Sequence, residues 1–230
     1  MLIYISREKI DADAEHYFQS ICRMPGNTNK TTQMRKQALA VRSELTGRLS
    51  PRAVIQGYDC EAIQDHGLLI EGHYFPCHGL AGLKKEHILA VYAFVLTIGD
   101  LTGDDTSKLN ALYCDFWGTA YLYTAAKALR AQLTQNHQHP AYITNAIAPG
   151  YDDMGLEKLA ELLNLVGSNE IGVHLQGLMM KPLKSLAGFY LVIKDKSQWG
   201  FLPNPYVYCH KKKTGCAFCS QKDDCAYCAR

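Results

Sequence analysis

The longest apolar run, Ile88 to Ile98, limits the folds open to this chain more than any other stretch. Set between His87 and Gly99, it is rich in β-branched and aromatic side chains. Its length and its glycine stop suit a strand buried on both faces; a buried helix has the same periodicity. At eleven residues it falls short of the roughly 18 to 20 needed to cross a bilayer. Met1 to Ile5 is apolar but too short for the core of a signal peptide. A cytoplasmic protein with no membrane partner is expected.

On either side of that run the pattern mixes helices and strands without strict βαβ alternation. Glu8 to Cys22 places Ile10, Ala14, Tyr17, Phe18 and Ile21 on one helical face. A second helix runs to about Thr46, with caps offered by Asn29 to Thr32 and with Met34, Ala38, Val41 and Leu45 inward. Arg52 to Tyr58 and Gly67 to Ile70 read as strands, and Tyr74 to His78 as a loop or edge strand. A long helix from Ser107 to Thr134, capped by Asp104 or Asp105, would bury Leu112, Phe116, Tyr123, Ala126 and Leu133. Gly118 within it allows a close contact. Ala141 to Ala148 is extended, Leu156 to Val166 is a helix, and Ile171 to Leu175 and Leu186 to Ile193 are strands. This order predicts an α+β fold, a twisted antiparallel sheet flanked by helices. It implies one domain over residues 1–205 and a small cysteine-rich tail over 206–230.

Net charge is +2, which does not suggest a nucleic-acid partner. The charge is uneven, because the stretch from Cys209 onward carries five basic and two acidic residues. Those lysines either keep an exposed tail soluble or contact an acidic partner. Cys216 and Cys219 form one C-x2-C knuckle and Cys225 and Cys228 a second, with Cys209 upstream. Such a knuckle aims two thiolates at one metal ion. The five residues between the pairs are few for a zinc ribbon, which usually has about 15 to 20. The tail is therefore read as binding an iron–sulfur cluster or zinc, against the reading of a reactive, metal-free tail.

Two other segments carry candidate chemistry. In Ala148-Pro149-Gly150-Tyr151 the glycine permits a tight turn and close approach of a ligand to backbone, and Tyr151 could stack on it. Spacing alone equally describes a turn with a packed tyrosine. Met179-Met180-Lys181-Pro182-Leu183-Lys184-Ser185 joins soft apolar side chains to two cations, and composition favours core methionines beside solvated lysines. The histidines, including His73 and His78 around Cys77, show no catalytic spacing. Asp115, among aromatics, is either a buried functional carboxylate or a solvated one.

Taken together, the Pro149-Gly150-Tyr151 turn, the helix after it, Ile171-Gly172-Val173 and the Met179-to-Ser185 segment entering a strand resemble the activation domain of cobalamin-dependent methionine synthase. The likeness is to its stand-alone forms, which end in a cysteine motif. The resemblance implies binding of S-adenosylmethionine and docking on a cobalamin partner whose cobalt has fallen to the inactive Co(II) state. An electron from a flavodoxin-like donor and a methyl group from S-adenosylmethionine then restore methylcobalamin. Carried over by position, Ala148 lends its backbone to the ligand, Gly150 allows close approach and Tyr151 completes the wall. Two positions depart from the pattern. Ala146 stands where the family has an arginine, and Gln176 where it has a carboxylate. The expectation is an accessory protein of a cobalamin or corrinoid methyltransferase system that supports reductive reactivation, with a corrinoid-binding partner and a redox donor. The alternative is a non-enzymatic metal-binding interaction protein with a structural zinc tail.

Overall fold

The computed structural model describes residues 1–22, 24, 28–80, 83–101, 107–137, 141–150 and 153–194. It is an α+β fold with an antiparallel sheet and, among the described residues, four α-helices. The main sheet has five strands, β1 (Leu2–Tyr4), β2 (Arg52–Tyr58), β6 (Ile88–Thr97), β7 (Tyr142–Ile143) and β10 (Ser185–Ile193), in the order β1-β2-β6-β10-β7. The apolar run that opened the sequence is thus a strand at the middle of the sheet. Ala93 to Ile98 are all buried, as a strand covered on both faces requires. The chain divides into two compact units, with boundaries that include points within β2, β6 and β10.

The first unit comprises Met1–Val54, Val95–Gln132 and Gly167–Leu186. Its α1 (Arg7–Ile21) starts at Ser6, whose hydroxyl accepts the Lys9 amide, and buries Ile10, Ala14 and Phe18. The cap of α2 (Asn29–Thr46) is Thr28, one residue before the expected cluster. Thr28 is extended, and Thr28 and Thr31 each accept the other's amide, a reciprocal capping box built without glutamate. Ala38, Val41 and Leu45 are buried as expected, while Met34 is only half-buried.

The expected stripe of α3 (Lys108–Gln135) needs correction. Tyr113, Trp117, Ala120, Tyr121, Ala125 and Leu129 are buried, whereas Leu112 is 46% exposed. Leu133 alone of the expected stripe is fully inward. This helix carries apolar residues around most of its circumference, so periodicity does not select a face. Trp117 selects it. Its indole N–H donates to the Ala38 carbonyl at 2.8 Å, and its ring stacks on Phe18 at 3.8 Å. At the helix start Ser107 accepts the Asn110 amide; Asp104 and Asp105 lie outside the described residues.

The strand expected from Ile171 is also displaced. Gly167 and Gly172, both at φ 70°, bracket a 3-10 turn over Ser168–Ile171. Two short strands follow, β8 (His174–Gln176) and β9 (Met179–Lys181), paired antiparallel around Gly177.

The second unit comprises Ile55–Phe94, Leu133–Val166 and the chain from Ala187 on. Here β3 (Ile63–Gln64), β4 (Gly67–Ile70) and β5 (His73–Pro76) form a three-stranded antiparallel sheet. Phe75 of β5 meets Phe189 of β10 edge-on at 4.8 Å, and Phe94 stacks on Tyr190 at 4.1 Å. Helix α4 (Lys158–Val166) buries Leu159, Leu162, Leu163 and Val166, the face its spacing predicts. Among the described residues, no helix is long and apolar enough to cross a membrane.

Candidate functional site

The Ala146–Gly150 segment lies along β10 within the second unit. Thr144 donates its amide to the Leu191 carbonyl at 2.9 Å, and its hydroxyl accepts the Leu191 amide at 3.0 Å. One rung further on, Ile147 and Phe189 exchange both backbone bonds, at 2.9 and 2.7 Å. This rung requires Gly188, since a Cβ there would lie 2.6 Å from the Ile147 carbonyl oxygen. In an antiparallel pair, successive residues point their amides and carbonyls to opposite sides. Ile147 spends both of its groups on β10, so those of Ala148 face away. Ala148 is buried and makes no hydrogen bond among the described residues. A buried backbone donor and acceptor without partners is a natural place for a ligand to bind.

Gly150 follows at φ 92°, a conformation open to glycine at little cost. Its amide donates to the Met154 carbonyl at 2.7 Å and closes the turn, and Leu156 packs against its α-carbon. Ala148 and Gly150 thus lie together as their sequence positions require. Tyr151 lies outside the described residues. Ala146 is 5% exposed and supplies no charge. Gln176, on β8, is an exposed residue of the other unit.

The Met179-to-Ser185 segment is built differently from its composition-based reading. Met179 is 58% exposed, not core, and it begins the second strand of the two-stranded β8-β9 hairpin. Lys184 is the better-covered residue. Its stem crosses Gly118 of α3, and its ammonium donates to Asp115 at 2.7 Å and Thr119 at 2.9 Å. The close contact that Gly118 permits is therefore with a lysine side chain. Asp115 is a solvated carboxylate, 63% exposed. Ser185 donates to the Pro182 carbonyl and to the buried Thr97 hydroxyl, tying the segment to β6. The peptide bond between Lys181 and Pro182 is cis.

Two histidine–carboxylate pairs in the second unit had no sequence signal, because 75 and 88 residues separate the partners. His78 Nδ1 lies 2.6 Å from Asp153, and the His78 backbone amide donates to the same carboxylate at 2.8 Å. His73 Nδ1 lies 3.2 Å from Glu161, which Lys158 also holds at 2.8 Å. Burial pushes the Asp153 carboxyl up, but the His78 amide, Asp153's own amide and the His78 ring outweigh it and leave it below the ordinary range. Glu161 is lowered chiefly by its hydrogen bond from Lys158, which outweighs the opposing effect of burial, and the Lys158 charge and His73 add smaller contributions.

Cavities of about 430 Å³, lined by Phe18, Cys22, Arg35 and Trp117, and about 420 Å³, lined by Ile63, His66 and Lys84, do not include Ala148 or Gly150. The turn is preferred as the candidate site because the Ala148 backbone makes no hydrogen bond among the described residues, whereas cavity size alone specifies no chemistry. Cys209, Cys216, Cys219, Cys225 and Cys228 lie outside the described residues. Among the described residues, Cys22, Cys60, Cys77 and Cys114 form no disulfide, and no group of three or more His, Cys, Asp or Glu side chains could hold a metal.

No family model matches the chain, and no curated protein matches it. A solved structure does: the crystal structure of the MetH reactivation domain bound to AdoHcy, with a TM-score of 0.60 over 85% of this chain and 78% of that one. The chain shares the fold of the MetH reactivation domain. At 15% identity the likeness is one of architecture, and it agrees with the resemblance carried by the Pro149-Gly150-Tyr151 turn and the Met179-to-Ser185 segment. It covers far more of the chain than those motifs do, extending the likeness into the amino-terminal third. The MetH reactivation domain in that structure holds AdoHcy.

Proposed function

We propose that this chain is an accessory component of a cobalamin-dependent methyl-transfer system, binding an S-adenosyl compound at the Ala148–Gly150 turn and docking on a corrinoid-binding partner to support its reductive reactivation. The observation that carries this reading is the unpartnered backbone of Ala148 beside a positive-φ Gly150, within a fold shared with a reactivation domain that holds AdoHcy. The residues present fit the adenosyl ligand as a backbone wall, with Tyr151 proposed to complete it. They do not offer it a charged anchor at position 146. A charge-assisted contact contributes about 1.5 to 3 kcal/mol, so binding here is weaker than a site with arginine would give. When bound, S-adenosylmethionine supplies the methyl group; the chain's residues hold and orient it.

Calorimetric titration with S-adenosylmethionine and S-adenosylhomocysteine tests the ligand, and mixing with a Co(II) corrinoid protein and reductant tests the partner. Absence of both binding and any change in the cobalt spectrum would sink the proposal.

The cysteine tail, residues 206–230, is proposed as a separate metal- or cluster-binding segment and a candidate electron relay to the partner. The two C-x2-C knuckles also support a second reading, a non-enzymatic interaction protein with a structural zinc tail. Anaerobic purification separates the two. Visible absorbance with iron and sulfide supports the relay, and colourless protein with stoichiometric zinc supports the second. Replacing Cys216 and Cys219 by serine should release the metal in either case; unchanged metal content would show that the tail is not the site.

A further inference from the structure

The turn has one anchor that its sequence does not reveal. On its inner side it is fixed to β10 by the Ile147–Phe189 rung. On its exit side the chain is fixed by Asp153, whose two carboxylate oxygens are both engaged by a single residue. Oδ1 accepts the His78 backbone N–H at 2.8 Å, and Oδ2 lies 2.6 Å from His78 Nδ1. A carboxylate held at both oxygens by one residue has little freedom to rotate; the His78 side chain is 68% exposed, so solvent screens the charge and the tether acts chiefly through this two-point geometry. Asp153 adjoins Met154, whose carbonyl receives the Gly150 amide and closes the turn. Met154 is itself buried. Fixing Asp153 therefore fixes the acceptor that holds Gly150.

His78 is well placed for this role. It lies two residues past the end of β5, and the backbone there is pinned, since the Cys77 amide donates to the His66 carbonyl and the Leu80 amide to the Cys77 carbonyl. The His66 ring lies 5.4 Å from the His78 ring. The His73–Glu161 pair joins the same β5 segment to α4, the next element after the turn. Glu161 is shared with Lys158, so this second tether is the weaker of the two.

We infer that Asp153 and His78 are positioning residues, which set the Pro149–Gly150 turn in the conformation that presents the Ala148 backbone to a ligand. The geometric part of this stands without any ligand, and the consequence for binding rests on the function proposed above.

The test uses the full chain and two readouts. Amide hydrogen exchange at Gly150 reports closure of the turn, and calorimetry with S-adenosylhomocysteine reports binding. Asp153→Ala should speed Gly150 exchange by about tenfold or more, the order expected when a hydrogen bond to a charged group is lost. Exchange at Phe189, whose amide belongs to the inner rung, should stay within about twofold, a contrast that a general loss of stability would erase. Asp153→Asn keeps an acceptor for the His78 amide and should recover most of the protection. His78→Ala keeps that amide but loses the ring, and should fall between the two, which leaves the inference testable if Asp153→Ala does not fold. Binding should weaken in the same order. Gly150 exchange within twofold of the parent in both alanine variants overturns the inference. If exchange responds while the parent protein does not bind S-adenosylhomocysteine, the positioning role stands and the proposed ligand fails.

Discussion

Lys184 lays its stem across Gly118 and places its ammonium 2.7 Å from the Asp115 carboxylate. The pair joins the strand-entry segment to α3 within the first unit, yet most of the Asp115 side chain faces water. An ion pair so exposed contributes about 0 to 1 kcal/mol. Lys184→Met, which keeps most of the stem, should therefore cost less than about 1 kcal/mol in urea unfolding. Ser185→Ala should cost more, about 1 to 2 kcal/mol, because it removes a buried donor from Thr97 and from the Pro182 carbonyl. The reverse order would mean that the exposed pair, not the buried hydroxyls, holds this segment.

Gly188→Ala places a methyl group against the Ile147 carbonyl oxygen, a backbone atom that cannot rotate away. The expected loss is about 1 to 3 kcal/mol, as for other overpacked interiors. Exchange of the Phe189 amide, which donates to that oxygen at 2.7 Å, should rise in step. Unchanged protection at Phe189 would show that β10 can shift to admit the methyl.

Trp117→Phe tests what sets the face of α3. The change removes the donor to the Ala38 carbonyl and part of the stack on Phe18. It should cost about 2 to 3 kcal/mol, combining lost packing with the lost indole hydrogen bond. Denaturant unfolding followed by circular dichroism measures it, and a loss under 1 kcal/mol would point to the neighbouring small residues instead.

Stability should fall in acid through the two carboxylates of the second unit. Asp153 and Glu161 both titrate below their ordinary values of 3.8 and 4.5 in the folded state. Each is thus bound more tightly to its partners when ionised. The contribution is complete above the ordinary values and is lost as pH falls through the lowered folded ones. Asp153→Asn and Glu161→Gln should flatten the pH dependence of unfolding between about pH 5 and 2. A profile as steep as the parent's would assign the acid sensitivity elsewhere.

Ala146→Arg asks whether a charge at this position strengthens binding of the proposed ligand. Position 146 is buried, so the variant should lose about 1 to 3 kcal/mol of stability. A charge-assisted contact to the ligand carboxylate should nevertheless strengthen S-adenosylhomocysteine binding about tenfold. Affinity equal to the parent's in calorimetry would show that the turn does not present its ligand to that position.

The amino-acid sequence by itself determined the α+β class, the central buried strand, three of the helices to within two residues and the inward face of α4. These follow from local periodicity, capping and glycine or proline stops, which act over a few residues. It also placed a turn at Pro149-Gly150, where Gly150 has a positive φ, because a Pro-Gly turn is a local feature. Only the tertiary structure decided which face of α3 is buried, since an almost wholly apolar helix is oriented by a partner, here the Ala38 carbonyl and the Phe18 ring. Tertiary structure also exposed Met179 on a two-stranded hairpin, turned the Ala148 backbone away from β10 and brought Asp153 to His78. These outcomes depend on groups far apart in the chain, whose meeting is set by strand pairing and packing that no local pattern encodes.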